Sequence, residues 1–160
     1  MTETFYTFDY DSPVGILEIS GTAEAIYELN FTDKKQIENT LDDHHPDIFH
    51  ECRSQLDEYF KGQRNNFSIR YVLEGTDFQK NVWNALTEIP YGKTGSYRDI
   101  AVAVNSEKAV RAVGSANGKN KISIIIPCHR IIGSNGKLTG YGGGLWRKEW
   151  LLKHEQEKAL

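Results

Sequence analysis

Apolar, β-prone residues run from Thr4 to Asp9 and again from Gly15 to Ser20, and the Asp11-Ser12-Pro13-Val14-Gly15 stretch between them has turn chemistry. The start of the chain therefore predicts a β-hairpin, which Ala25 to Phe31 extends into a sheet. Between Pro46 and Phe60 the period changes to that of a helix. Ile48, Phe49, Cys52, Leu56, Tyr59 and Phe60 share one face, and Gly62 supplies a stop. Asn66 to Leu73 predicts a closing strand before the polar break Glu74-Gly75-Thr76-Asp77, where a boundary falls near residue 75. Beyond it, Phe78, Val82, Trp83, Leu86 and Ile89 follow a helical period ended by Pro90 and Gly92. Ser96, with Asp99 three residues on, forms a capping box for a short helix carrying Ile100, Ala101 and Val104. Asn105-Ser106 turns the chain, and Ser106 is expected to cap a further helix with Glu107 in its first turn and the small residues Ala109, Val110, Ala112, Val113 and Ala116. Leu145 to Glu155 predicts a C-terminal helix. The whole reads as α+β: an α/β lobe over residues 1–75, then a mainly helical domain over 76–160 containing a helix-turn-helix candidate.

Composition changes this picture little, but charge changes it considerably. An apolar content of 39% is ordinary for a globular chain. No long apolar span or basic leader occurs, so a soluble, cytoplasmic protein is expected. The net charge of −3 conceals a division, because residues 1–75 carry 6 Lys and Arg against 15 Asp and Glu, whereas 76–160 carry 13 against 7. A basic half beside an acidic half points to phosphate contact in the basic half. There Lys108 and Arg111 fall on the second helix of the helix-turn-helix candidate, flanked by Lys119 and Lys121. A plain helical pair gives the same periodicity, so periodicity alone does not choose DNA binding.

The two cysteines, Cys52 and Cys128, exclude a disulfide framework and lack the partners of a zinc ligand set. Cys52 lies on a buried stripe and reads as a small hydrophobe. His44, His45 and His50 read as solvated in an acidic stretch without metal. Cys128 differs. The β-branched run Ile122 to Ile132 is interrupted by Cys128, His129 and Arg130, three side chains that are costly in a core strand unless they form a site. A nucleophilic thiol must ionise, and the cationic neighbours His129 and Arg130 are expected to favour the thiolate. Adjacent strand residues face oppositely, so Cys128 and His129 cooperate only if the chain bends at Pro127 or a water bridges them. Glu149 and Glu155 are both candidates to orient the imidazole, and spacing does not choose between them.

Several separated motifs now converge. Tyr91 to Tyr97, Arg111-Ala112-Val113-Gly114, Asn120, Pro127-Cys128-His129-Arg130, Tyr141 to Trp146 and Lys148 to Glu155 together resemble the O6-alkylguanine-DNA alkyltransferases, over about residues 76–156. The N-terminal lobe is similar to that family's ribonuclease-H-like domain in size and pattern only. The resemblance implies that Cys128 takes the alkyl group of O6-alkylguanine, and of O4-alkylthymine, irreversibly onto its own sulfur. In that scheme His129 and Glu155 polarise it through a bound water, Asn120 braces the active-site turn and Tyr97 donates a proton to the leaving guanine. Glu155 thereby becomes the orienter.

The resemblance further implies a monomer bound in the minor groove of double-stranded DNA, with the alkylated nucleotide flipped out and Arg111 filling its place. Ala112 and Gly114 permit close approach. Gln79, Arg98, Ser106 and Ser134 fall on positions that touch phosphates or the flipped nucleotide, while Tyr141, Gly142 and Gly143 wall the base pocket. No cofactor and no metal are expected. One departure is Lys121, where the family usually has proline. The alternative reading is a sensor that flips lesions without reacting, but that group carries tryptophan where this chain has Cys128. A cysteine hydrolase lacks its sequence context here, and a transcription factor predicts sequence-specific binding.

Overall fold

The computed structural model describes residues 3–133, 135, 136, 138 and 141–159, in two compact units comprising residues 1–73 and 74–160. In the first unit, three strands pair antiparallel in the order β1 (Tyr6–Ser12), β2 (Gly15–Gly21) and β3 (Ile26–Phe31). β1 runs further than its apolar residues indicate. It reaches Ser12, which pairs with Gly15 across a two-residue turn, and Gly15 supplies the left-handed φ of 99° that the turn needs. At the bulge between Ser20 and Gly21, a Cβ on Gly21 would stand 2.2 Å from the Ala25 carbonyl oxygen, so only glycine fits.

Helix α1 (Asp47–Phe60) lays Phe49, Cys52, Leu56 and Tyr59 into the core, where Phe49 meets Phe8 edge to face at 5.9 Å. Cys52 is fully buried, and burial pushes its thiol up to about 12, which makes it an inert hydrophobe. Two expectations fail in this unit. The strand over Asn66 to Leu73 reduces to one parallel bridge between Ile26 and Tyr71, because the segment docks on α1 instead: the Gln55 side chain takes the Ser68 N–H at 2.9 Å and donates to the Ser68 hydroxyl at 2.9 Å. His45 is not solvated either. Its ring packs on Phe49, and its Nε2 meets the Thr7 carbonyl at 2.9 Å, whereas His44 is exposed.

The second unit is mainly helical. Its elements are α2 (Asp77–Leu86), β4 (Gly95–Ser96), α3 (Tyr97–Ala103), α4 (Val110–Gly118), a 3-10 turn (Cys128–Arg130), β5 (Ile131–Ile132) and α5 (Leu145–Lys158). Ser96 and Asp99 form the expected reciprocal cap of α3. Ser106 does not cap α4. Its hydroxyl bonds back to the Val104 carbonyl, and a further turn in which Ala109 N–H reaches the Ser106 carbonyl delays the helix to Val110. Lys108 therefore lies in that turn rather than on the helix. Trp83 ties α2 to α4 through an indole N–H donated to the Ala116 carbonyl at 2.8 Å.

The strand expected over Ile122 to Ile132 is mostly absent. Ile122 makes a single bridge, Ser123 to Ile126 coil through successive turns, and Ile131 and Ile132 pair parallel to Gly95 and Ser96. The apolar run is nonetheless core, because Ile122, Ile124, Ile126 and Ile131 are buried. Burial was legible in the residues, but strand geometry was not. Among the described residues no helix is long and apolar enough to cross a membrane.

Candidate active site

Asn120 organises the chain that delivers Cys128. Its Oδ1 accepts the Ile122 N–H at 3.0 Å, and its Nδ2 donates to the carbonyls of Ile126 at 3.1 Å and Ile122 at 3.3 Å. These bonds hold Ile124 at φ 70°, a left-handed conformation that a β-branched residue adopts only when its surroundings impose it. Pro127 then opens the 3-10 turn. Cys128 and His129 thus follow one another around a tight bend instead of alternating across a strand.

Cys128 is 4% exposed. Burial pushes its thiol upward, and the opposing influences are hydrogen bonding from Asn120 and Tyr141 and the positive charge of Lys148. The Cys128 sulfur meets the Tyr141 hydroxyl at 3.8 Å. This corrects the expectation that His129 and Arg130 supply the activating charge. Both are turned to Glu155: His129 Nε2 lies 2.7 Å from Oε2, while Arg130 donates from Nε to Oε1 at 2.7 Å and from Nη2 to Oε2 at 3.2 Å. A third Arg130 bond, from Nη1 to the Ile89 carbonyl at 2.7 Å, ties the turn to the residues after α2. Burial alone would raise the Glu155 carboxyl, but His129 and Arg130 outweigh it and hold Glu155 well below the usual carboxylate range. Glu155 is therefore an anion that accepts Nε2–H from His129, so Nδ1 is the ring nitrogen left free of the carboxylate. Glu149 is exposed, so of the two candidate carboxylates only Glu155 reaches the imidazole.

Lys148 is fully buried one turn of α5 ahead of Leu151 and Leu152. Burial lowers its ammonium, the Cys128 sulfur raises it again, and its Nζ stands 5.9 Å from the Tyr141 ring centre. The Tyr141 loop is braced from α5. Gly144 N–H reaches the Tyr141 carbonyl at 2.9 Å, Arg147 donates to the Gly143 carbonyl at 2.8 Å, and the Arg147 guanidinium lies 4.7 Å over the Trp146 ring.

The remaining site candidates spread outward. Tyr97 is half-buried at the first position of α3, and its ring lies 3.7 Å from where a Cβ on Gly114 would sit, an ordinary contact, so the approach of α3 to α4 does not itself require glycine. Arg98, Arg111 and Ala112 are exposed, and Ser106 is half-buried in the turn before α4. Gln79 has a local structural task, closing the capping box of α2 with Thr76. Gly142 is exposed in the Tyr141 turn, and Ser134 lies outside the described residues. Among the described residues no cluster of three or more His, Cys, Asp or Glu could hold a metal ion.

Sequence reasoning passed over Lys148, Asn117 and the ion pair of Arg130. Periodicity carried the first two. Lys148 shares a helical face with Leu151, Leu152 and Glu155, and Asn117 shares one with Val113 and Ala116, so each is a polar residue on a buried stripe.

Comparison with known proteins matches both units. Residues 4–71 match the family described as 6-O-methylguanine DNA methyltransferase, ribonuclease-like domain, and residues 77–157 match its DNA binding domain. A methylated-DNA–protein-cysteine methyltransferase of Methanosarcina barkeri is 49% identical over 148 residues, covering 91% of this chain and 94% of the relative. One of Mycobacterium bovis is 45% identical over 150 residues, covering 93% and 91%. The crystal structure of Mycobacterium tuberculosis O6-methylguanine methyltransferase superposes with a TM-score of 0.86 at 42% identity, over 98% of this chain and 96% of that one. That of Mycobacterium tuberculosis OGT in complex with DNA gives 0.84 at 44% identity, over 96% and 93%.

Proposed function

This chain belongs to the 6-O-methylguanine DNA methyltransferase family, and from that membership we propose that it binds DNA and repairs it by moving the alkyl group of O6-alkylguanine onto Cys128. It is a methylated-DNA–protein-cysteine methyltransferase in activity, and each molecule acts once, because the thioether product is stable. The observation that carries the assignment is the buried Cys128 thiol set between Asn120, Tyr141 and Lys148 beside the 2.7 Å His129–Glu155 pair.

In this reading Cys128 attacks the alkyl carbon in line with the departing guanine oxygen. His129, fixed by Glu155, takes the thiol proton through a water, and the Tyr97 hydroxyl protonates the departing guanine. Asn120 and Tyr141 donate to the developing thiolate, and Lys148 balances its charge. O4-alkylthymine undergoes the same displacement. The protein binds as a monomer in the minor groove with α4, Arg111 fills the space of the flipped nucleotide, and Ala112 and Gly114 lie against the backbone. Arg98, Ser106, Gln79 and Ser134 contact phosphates or the flipped nucleotide, and Tyr141, Gly142 and Gly143 wall its pocket. Lys121, in place of the family's proline, adds a phosphate contact, since the Asn120 bonds on either side of it are intact.

Titrating a duplex that holds one O6-methylguanine with increasing protein tests the reading. Repair should rise linearly and stop when one lesion has been removed per protein molecule. Continued turnover would indicate a hydrolase, and tight binding with the methyl left on DNA would indicate a sensor.

A further inference from the structure

Asn117 lies six residues beyond Arg111 on the same helix, is 5% exposed, and donates from Nδ2 to the Cys128 carbonyl at 3.4 Å. Turning its amide over would set Oδ1 against that carbonyl oxygen, acceptor against acceptor, so the contact fixes which way the amide faces. Among the described residues its Oδ1 is then a buried acceptor without a protein partner, and so, in the neutral ring, is His129 Nδ1. Buried polar atoms are nearly always satisfied, by protein or by ordered water. Here two acceptors belong to groups held at one peptide unit, Cys128–His129, next to a thiol that must lose a proton. A water has two protons to give and can accept a third, which matches two acceptors and one S–H.

We propose that Asn117 is a positioning residue for the transfer: with His129 Nδ1 it holds the water that carries the Cys128 proton away, while its Nδ2 fixes the Cys128 carbonyl. The inference rests on the methyl-transfer reading above. The thiol proton passes to the water as one water proton passes to His129 Nδ1, leaving a thiolate and an imidazolium paired with Glu155. The thiolate then forms the S–C bond as the C–O6 bond breaks, and the released electron pair goes to guanine, which takes up a proton. Facing Cys128 are Asn120, Tyr141 from the loop and Lys148 from α5, and facing His129 is Glu155 from α5, shared with Arg130. Asn117 thereby links the helix carrying Arg111 directly to the nucleophile.

The test compares wild type, Asn117→Leu, which keeps the volume and loses the amide, and Asn117→Ser, which restores a hydrogen-bonding oxygen. Two rates are followed from pH 6 to 9.5: methyl transfer from a duplex with one O6-methylguanine, and alkylation of Cys128 by iodoacetamide, which needs neither DNA nor base recognition. Asn117→Leu should slow transfer at least about tenfold near neutral pH, as loss of proton-transfer assistance does. The deficit should shrink as rising pH ionises the thiol directly. DNA affinity should stay within about twofold, the midpoint of the iodoacetamide profile should move up, and Asn117→Ser should recover part of both. Wild-type rates in both variants would overturn the proposal, as would a deficit equal at every pH, which marks a purely structural brace. If wild type itself transfers no methyl, the functional reading fails, and the iodoacetamide profile still decides whether Asn117 governs the thiol proton.

Discussion

Glu155 is the residue on which the site's electrostatics turn. Two cationic or proton-donating groups, His129 and Arg130, share its carboxylate, which is itself fully buried. Such a pair is weak evidence of net stabilisation, but removing one member leaves buried charge behind, at a cost of about 3–5 kcal/mol. Glu155→Gln is therefore expected to lose most of that in urea denaturation and to fall in transfer rate as His129 loses its orientation. A loss below about 1 kcal/mol would show that Arg130 finds another acceptor. The pH dependence follows from the sign of the shift. A carboxyl held below its ordinary value of about 4.3 stabilises the fold fully above that pH and loses the contribution as pH falls toward its native value. Wild-type stability should consequently drop below about pH 4, and Glu155→Gln should flatten that acid limb.

Helices α3 and α4 meet where Tyr97 lies on Gly114. A Cβ at Gly114 would rest 3.7 Å from the Tyr97 ring, an ordinary contact, so nothing inside the protein forbids alanine there. Gly114→Ala should raise stability by about 0.5–1 kcal/mol, as glycine replacement within a helix does, while weakening binding to duplex DNA. Unchanged affinity would remove Gly114 from the groove-facing surface. The same elements show what a sequence can disclose. Ser96 and Asp99 announced their cap because both partners lie within one helical turn, and Glu155 needed only the spacing of α5 together with the family resemblance. The turn at Cys128 was hidden, because Ile122, Ile124, Ile125 and Ile126 are β-branched and read as strand, whereas side-chain bonds from Asn120 coil the segment. Ser106 reads as a cap because sequence shows a good capping residue but not the extra turn that follows it. The ion pair of Arg130 is not legible in the sequence because its partner Glu155 lies 25 residues away on another element.

Across the whole chain, acidic residues gather in the first half and basic ones in the second, a division that a net charge of −3 hides. The basic half is expected to release counterions on binding duplex, so affinity should fall steeply with salt. Neutralising the exposed Arg98 on α3 should reduce the slope of log affinity against log salt by about 0.9, the value for one phosphate contact. An unchanged slope would place Arg98 off the DNA. All of this serves one chemical event at one sulfur, and intact mass observes it directly. Wild type and Cys128→Ser are incubated with a duplex carrying a single O6-methylguanine and weighed. The account predicts that wild type gains the mass of one methyl group, mapped to Cys128, with unmodified guanine left in the DNA, and that Cys128→Ser gains nothing. Wild type that keeps its mass while binding the lesion tightly, or a serine variant that still strips the methyl group, would contradict it.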